Sequence, residues 1–447
     1  MTTGRKAHSR ALSIWANGQR IAVWRLPTRG QAELIYDPDW IASAEARPLS
    51  LSLPIPPDNS PIRGEQVINY FDNLLPDSEP IRRRIAQRFH TGGADAFELL
   101  QAIGRDCIGA VQLLGEDEAP ADVRAIEGSL LDEAGVEHLL DQAASGDPFG
   151  LDTEDDFCIS LAGAQEKTAL LFHDGRWFKP HGSTPTTHIL KLPLGLVGNR
   201  RADLTTSVEN EWLCMTILKA FGVPVANTWI ETFGARRMLV VERFDRRLQA
   251  EGNWIVRLPQ EDFCQVAGLP SHKKYKADGG PGVLDIAITL RFSVDPRRDI
   301  ETLIASQILF WLLAAPDGHA KNFSLRLLAG ARYHLTPLYD VMSIWPVEGD
   351  GASQWSWYKA KLAMAIPGTS RHYAFRDVKR RHFNAMAPKC DYGASAEPII
   401  ERIIERTPAV IDAVTELLPD DFPERVAQRI FDGMRRSAAL LESMPAD

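Results

Sequence analysis

The spacing of apolar residues changes near Leu258, and that change limits what the chain can fold into. Before it, apolar residues fall in short runs of strand length, FCISLAG, TALLF, THILKLP and RMLVVERF, with one helix-like stretch, TTSVENEWLCMTILKAFG, among them. After it the pattern is mostly helical. DIETLIASQILFWLLAA has the continuous apolar character of a buried helix, whereas PIIERIIERTPAVIDAVTELL and FPERVAQRIFDGMRRSAALLESM are amphipathic, with Pro and Asp near their starts. A β-rich portion followed by a helical one, an α+β fold, is the expected layout. At 447 residues the chain exceeds the size at which one hydrophobic core usually keeps growing, so two or three domains are expected.

The chain opens on a β-rich module. ALSIWANGQRIAVWRL sets two strand-like runs around Asn17-Gly18, a strong signal for a tight hairpin. Further on, Asp77 or Ser78 can cap a helix carrying Arg82, Arg83 and Arg84, which read as a solvated helix face or as a binding surface. GEDEAPADV, 115–123, reads as a loop, and the Gly-, Asp- and Pro-rich ASGDPFGLDTEDD, 144–156, as a boundary. The expected division is 1–148, 149–256 and 257–447. A hydrophobic fraction of 45% and a charged fraction of 24% are those of an ordinary globular protein. A net charge of -9 argues against a chain that coats nucleic acid by itself. Lys379, Arg380 and Arg381 form a local basic patch able to meet DNA phosphates, so a DNA role would be shared with a partner. Cys107, Cys158, Cys214, Cys264 and Cys390 are scattered, odd in number and without a CxxC pair, which fits a reducing compartment. The N-terminus is polar, and the longest apolar run, ILFWLLAA, is too short to span a bilayer, so a cytoplasmic protein is expected.

PDGHAKNFSL, 316–325, sets Asp317 and Asn322 five residues apart. Protein-kinase catalytic loops use that spacing to put a carboxylate near the attacking hydroxyl and an amide oxygen on magnesium. Two common residues at one offset mean little alone, since Asp317 could cap a turn and Asn322 bond its own backbone. Phosphoryl transfer also needs backbone amides for phosphate, a lysine, a polar stretch for adenine and ribose, and a second metal carboxylate. Candidates for each follow in kinase order. SLAGAQEKTAL carries Gly163 among small residues, suited to close approach of backbone to phosphate, although it is neither GxGxxG nor a P-loop. Lys191 sits in an apolar strand, where an ammonium is costly unless an anion meets it or its head reaches solvent. Glu211 or Glu209 on the following helix is its partner, Glu209 being able instead to form a capping box with Thr206. VVERFDR brings backbone around Glu242 and Phe244 toward adenine and Asp245 toward ribose, unless Asp245 and Arg246 form a strand-end charge pair. Asp340 ends a short strand eighteen residues after Asn322. On this reading Asp317 orients or deprotonates an acceptor hydroxyl, Asn322 and Asp340 hold magnesium, and His319 and Lys321 line the phosphate side.

ISLAGAQEKTALL, TTHILKLP, VERFDRR, RLPQEDFCQ, DGHAKNFS and LTPLYD together resemble the HipA family of bacterial serine/threonine kinases, the toxin halves of HipBA toxin–antitoxin systems. YFDNLLPDS and IGRDCIGAV extend the resemblance over essentially the whole chain. It implies a two-lobed kinase-like fold with an N-terminal β-rich subdomain (1–148), a small lobe (149–256) and a helical lobe (257–447). It also implies ATP and Mg2+ as cofactors. ATP would be held by Ala162, Gly163, Ala164, Gln165, Glu166, Lys167, Lys191, Glu242, Arg243, Phe244, Asp245, His319, Ala320, Lys321, Asn322, Tyr339 and Asp340. Asp317 would be the catalytic acid/base and Ser160 an inhibitory autophosphorylation site, where a phosphoserine places negative charge against the nucleotide's phosphates. The acceptor would be a serine of an aminoacyl-tRNA synthetase, glutamyl-tRNA synthetase above all, so that translation and growth stop. The partner would be a HipB-like helix-turn-helix antitoxin bound to operator DNA. A non-catalytic co-repressor and a small-molecule kinase are the alternatives, because fold alone does not fix function.

Overall fold

The computed structural model describes residues 10–145, 167–197, 201–249 and 253–447, and it joins helices and sheets in the α+β arrangement that the change of apolar period implies. Two compact units share the chain. The first consists of Met1–Ile189, Arg243–His272 and Arg326–Tyr333, the second of Leu190–Glu242, Lys273–Leu325 and His334–Asp447.

In the first unit β1 (Arg10–Ala16) and β2 (Gln19–Leu26) are antiparallel. Asn17 (φ 50°) and Gly18 (φ 85°) make the turn between them, both in the left-handed region that a two-residue hairpin of this hand requires. With β3 (Glu33–Tyr36), β4 (Ile62–Arg63) and β5 (Gln112–Gly115) they form a sheet of order β4-β3-β2-β1-β5. The helices of this module are α1 (Pro38–Ala42), α2 (Glu65–Asp72), α3 (Glu79–Arg88) and α4 (Ala96–Ile103). Trp24 of β2 stacks on Phe71 of α2 at 4.0 Å and meets Phe97 of α4 edge-on at 5.0 Å, so aromatic burial seats these helices on the sheet. Ser78 occupies the N-cap of α3 without a side-chain bond to it. The arginines of α3 pair locally, Arg82 with Asp72 at 2.5 Å and Arg83 with Glu79 at 3.0 Å. Farther along, β8 (Arg176–Pro180) pairs antiparallel with both β6 (Gly128–Leu131) and β7 (Lys167–His173), next to α5 (Glu133–Ser145).

The second unit begins within β9 (His188–Lys191). A short hairpin of β10 (Gly195–Val197) and β11 (Ala202–Leu204) leads to α6 (Ser207–Ala220), and β12 (Thr228–Phe233) and β13 (Arg236–Glu242) form a second hairpin. The chain returns to the first unit for α7 (Phe263–Val266) and then supplies α8 (Val283–Leu290), α9 (Pro296–Leu312), α10 (Arg380–Lys389), α11 (Glu397–Thr415) and α12 (Glu424–Ser443). From Leu303 to Leu312 every residue of α9 is buried, Ser306 and Gln307 included, as the continuous buried character of the segment predicts. The amphipathic α11 packs on α6, α9 and α12. Among the described residues no helix is long and apolar enough to cross a membrane.

Candidate active site

Lys191 closes β9 and is only 7% exposed. A buried ammonium needs anions, and this one has two: Nζ donates to Oε1 of Glu211 and to Oδ1 of Asp340, each at 2.7 Å. Burial by itself lowers the lysine's pKa, but the carboxylates of Asp340 and Glu211 outweigh it and hold the group above its ordinary value, so it stays charged. Glu209 has a different role. It accepts from Nε of Arg237 at 2.6 Å, and Thr206 makes no side-chain cap to the helix, so no capping box competes.

Asp340 reaches Lys191 because two sets of backbone and amide bonds place its segment. Leu338 N–H donates to the Pro224 carbonyl and Ala226 N–H to the Leu338 carbonyl, both at 2.9 Å. Asn210 of α6 donates to the Ser343 carbonyl at 2.7 Å and accepts from Ser343 N–H at 2.9 Å. Asn210 lies between the two candidate glutamates, yet nothing in its spacing announced a role. Asp340 itself has φ 62°, a left-handed conformation that Asp tolerates better than most residues. Its side chain is 35% exposed.

The 316–322 loop is closed on itself and on its neighbours. His319 N–H donates to the Asp317 carbonyl at 2.7 Å and Asn322 N–H to the His319 carbonyl at 2.9 Å. Nδ2 of Asn322 donates to the Asp317 carbonyl at 2.8 Å and reaches the Asp340 carbonyl at 3.5 Å, so Oδ1 is the atom that this amide can offer a cation. The Asp317 carboxylate is about half exposed; Oδ1 accepts from the Tyr275 hydroxyl at 2.7 Å, and Oδ2 lies 3.9 Å from Nε2 of His319. His319, Ala320 and Lys321 are buried, and Tyr339 donates its hydroxyl to the Lys321 carbonyl at 2.8 Å. Tyr339 therefore braces the loop with its side chain. Gly318 has a packing reason: a Cβ there would lie 2.5 Å from the buried Phe310 ring. Gly318→Ala is expected to cost about 1–3 kcal/mol of stability and to displace Asp317, read as a lower melting midpoint together with weaker transfer.

The VERFDR stretch departs from its expected use. Glu242 is exposed and accepts from Asn227 at 2.9 Å, while the N–H groups of Glu242 and Arg243 donate to the Asn227 and Thr187 carbonyls, both at 2.9 Å. The Phe244 carbonyl accepts from Arg326. Asp245 is 4% exposed and takes Nε and Nη2 of Arg243 at 3.0 and 2.8 Å and the Gly109 N–H at 2.7 Å. Ion pairing inside the protein thus replaces the ribose contact expected of Asp245, and the Arg243 side chain is equally committed. Lys167 opens β7, half-buried, whereas Ser160 and Ala162, Gly163, Ala164, Gln165 and Glu166 lie outside the described residues. Of the basic patch, Arg380 is tied to Glu397 at 3.0 and 3.1 Å, which removes its charge from the surface; Lys379 is half-buried and Arg381 exposed.

Residues 159–411 match the HipA-like C-terminal domain and residues 12–114 the HipA N-terminal domain. Y4mE of Sinorhizobium fredii, named as a kinase, is 34% identical over 338 residues, 75% of this chain and 77% of that one. The serine/threonine-protein kinase toxin HipA of Shewanella oneidensis is 27% identical over 348 residues, 74% of this chain and 72% of that one. A solved complex of Shewanella oneidensis HipA, HipB and operator DNA contains a chain of the same fold, with a TM-score of 0.76 at 21% identity over 96% of this chain and 97% of that one. The chain belongs to the HipA family of kinases.

Proposed function

We propose that this kinase is a serine/threonine protein kinase toxin that transfers the γ-phosphoryl group of ATP to a serine of an aminoacyl-tRNA synthetase, glutamyl-tRNA synthetase first, and so arrests translation. The observation that carries the reading is the convergence of Lys191, Glu211 and Asp340 beside Asn322, whose amide bonds the backbone of Asp317. A buried lysine–glutamate pair with a metal-capable aspartate favours a catalytic protein over a non-catalytic co-repressor. Glu211 keeps Lys191 charged and aimed, ready to exchange Asp340 for phosphate oxygens. The Asp340 carboxylate and Asn322 Oδ1 are hard oxygen donors suited to Mg2+, which when bound there neutralises phosphate charge. Asp317 takes the proton of the acceptor hydroxyl as the new O–P bond forms; the bond from the γ-phosphorus to the bridging oxygen breaks, and ADP leaves with that electron pair.

Autophosphorylation of Ser160 switches the enzyme off, and a HipB-like antitoxin restrains it at operator DNA, where Lys379 and Arg381 meet phosphates. The complex of the Shewanella protein with HipB and DNA supports that partnership. Incubation with magnesium and ATP, alone and with purified synthetases, followed by peptide mapping, tests the reading. Phosphate on Ser160 and on a synthetase serine is the expected result. A protein that binds ATP but phosphorylates neither itself nor any synthetase leaves the co-repressor or the small-molecule kinase in its place.

A further inference from the structure

Tyr275 lies 42 residues before Asp317, and its hydroxyl donates to Asp317 Oδ1 at 2.7 Å. Two further contacts fix it there. Its ring meets the His319 ring edge-on, with centroids 5.2 Å apart at 85°, and the carbonyl of the preceding Lys274 accepts the Ala320 N–H at 3.1 Å. The Tyr275 carbonyl in turn accepts the N–H groups of Asp278 and Gly280, both at 3.0 Å, so the turn that carries the phenol is closed as well. By contrast the Asp317 carboxylate is 53% exposed. An exposed carboxylate can rotate among several staggered conformers, whereas a proton acceptor must stay within about 3 Å of the hydroxyl it serves.

We propose that Tyr275 is a positioning residue for Asp317. Holding Oδ1 fixes the carboxylate conformer and leaves Oδ2 to take the acceptor's proton. The inference rests on the kinase reading above. A phenol suits the task because its ring is clamped against His319 while its single O–H points at one oxygen, and the backbone bond between residues 274 and 320 makes it move with the loop.

Tyr275→Phe removes the donor and keeps the ring, so the test reads chemistry with little disturbance of packing. The expected result is a fall in kcat of about 10- to 100-fold, the scale of a misplaced catalytic group. The KM for ATP and the dissociation constant of Mg·ATP stay at wild-type values, because Lys191, Asn322 and Asp340 are untouched. Since Tyr275 acts through Asp317, the Asp317→Ala, Tyr275→Phe double variant is expected to be no slower than Asp317→Ala alone. A Tyr275→Phe protein with wild-type kcat, a loss confined to ATP affinity, or additive losses in the double variant would each overturn the proposal. A wild type that binds ATP yet neither hydrolyses it nor transfers phosphate overturns the kinase reading and this inference with it, an outcome distinct from the first three.

Discussion

Asp317→Ala is expected to lower phosphoryl transfer by about 10²- to 10⁴-fold, the usual contribution of a positioned general base, while Mg·ATP affinity changes less than about twofold. The separation follows from which atoms of Asp317 do what. The bond that holds Asn322 runs from its Nδ2 to the Asp317 backbone carbonyl, which alanine keeps, so the amide beside Asp340 stays in place. The side chain accepts from the Tyr275 hydroxyl and lies 3.9 Å from Nε2 of His319. Its exposure also means that truncation buries no unpaired charge, and the fold should tolerate it. Asp317→Asn serves as the companion variant: it preserves size and the bond from Tyr275 but removes the proton acceptor, so it should be nearly as slow. Single-turnover transfer and calorimetric titration with Mg·ATP read the two quantities separately. Wild-type transfer by either variant would place the proton acceptor elsewhere, and a collapse of ATP binding would place Asp317 on the nucleotide.

What could be read in advance was governed by distance along the chain. Asn17-Gly18 is a turn whose residues dictate their own φ, and the 316–322 loop holds Asp317 and Asn322 by bonds within six residues, so both were legible from spacing. The choice between Glu209 and Glu211 was not. Helix α6 is buried on almost every side from Ser207 to Leu218, so no polar face existed to mark the outward glutamate, and Arg237 and Lys191 decide the matter from other strands. Nothing local marks Tyr275, whose partner lies 42 residues away, or Gly318, whose reason is the volume of the Phe310 ring. At a strand exit, Asp245 reads from sequence either as a ribose contact or as a charge pair with Arg246, and the structure has it in ion pairs with Arg243 and Arg246. Its actual partners include Gly109, 136 residues upstream, a separation that no local pattern reports.

That buried network carries the second large effect: Asp106→Ala is expected to cost about 3–5 kcal/mol, the scale of breaking a buried ion pair. Asp106 is 6% exposed and its two oxygens serve five donors. Oδ1 accepts from Arg246 at 2.9 Å and Arg257 at 3.3 Å; Oδ2 accepts from Arg243 at 3.3 Å and from the Thr186 hydroxyl and N–H at 2.6 and 3.1 Å. The three guanidinium groups are at most 2% exposed and, among the described residues, pair with Asp106 and Asp245. Burial, helped by the charges of Arg246 and Arg243, already pulls Arg257 down to about 10 in spite of Asp106. Without Asp106 three buried cations face one carboxylate, and the unit's melting midpoint should drop by on the order of 10 °C. Asp106→Asn keeps the volume and loses the charge; a cost close to that of alanine identifies charge, and a cost near zero identifies the cavity. Acid gives an independent check. Burial would raise the Asp106 pKa, but Arg246, Arg243 and Arg257 hold it far below the ordinary carboxylate range, so its stabilisation is fully present above about pH 3.9 and is lost only as pH falls toward the folded-state value. The gap between wild type and Asp106→Ala should therefore be constant from pH 7 down to about 4 and narrow only in stronger acid. A gap that closes near pH 6 would mean that another titrating group, and not Asp106, holds the arginines together.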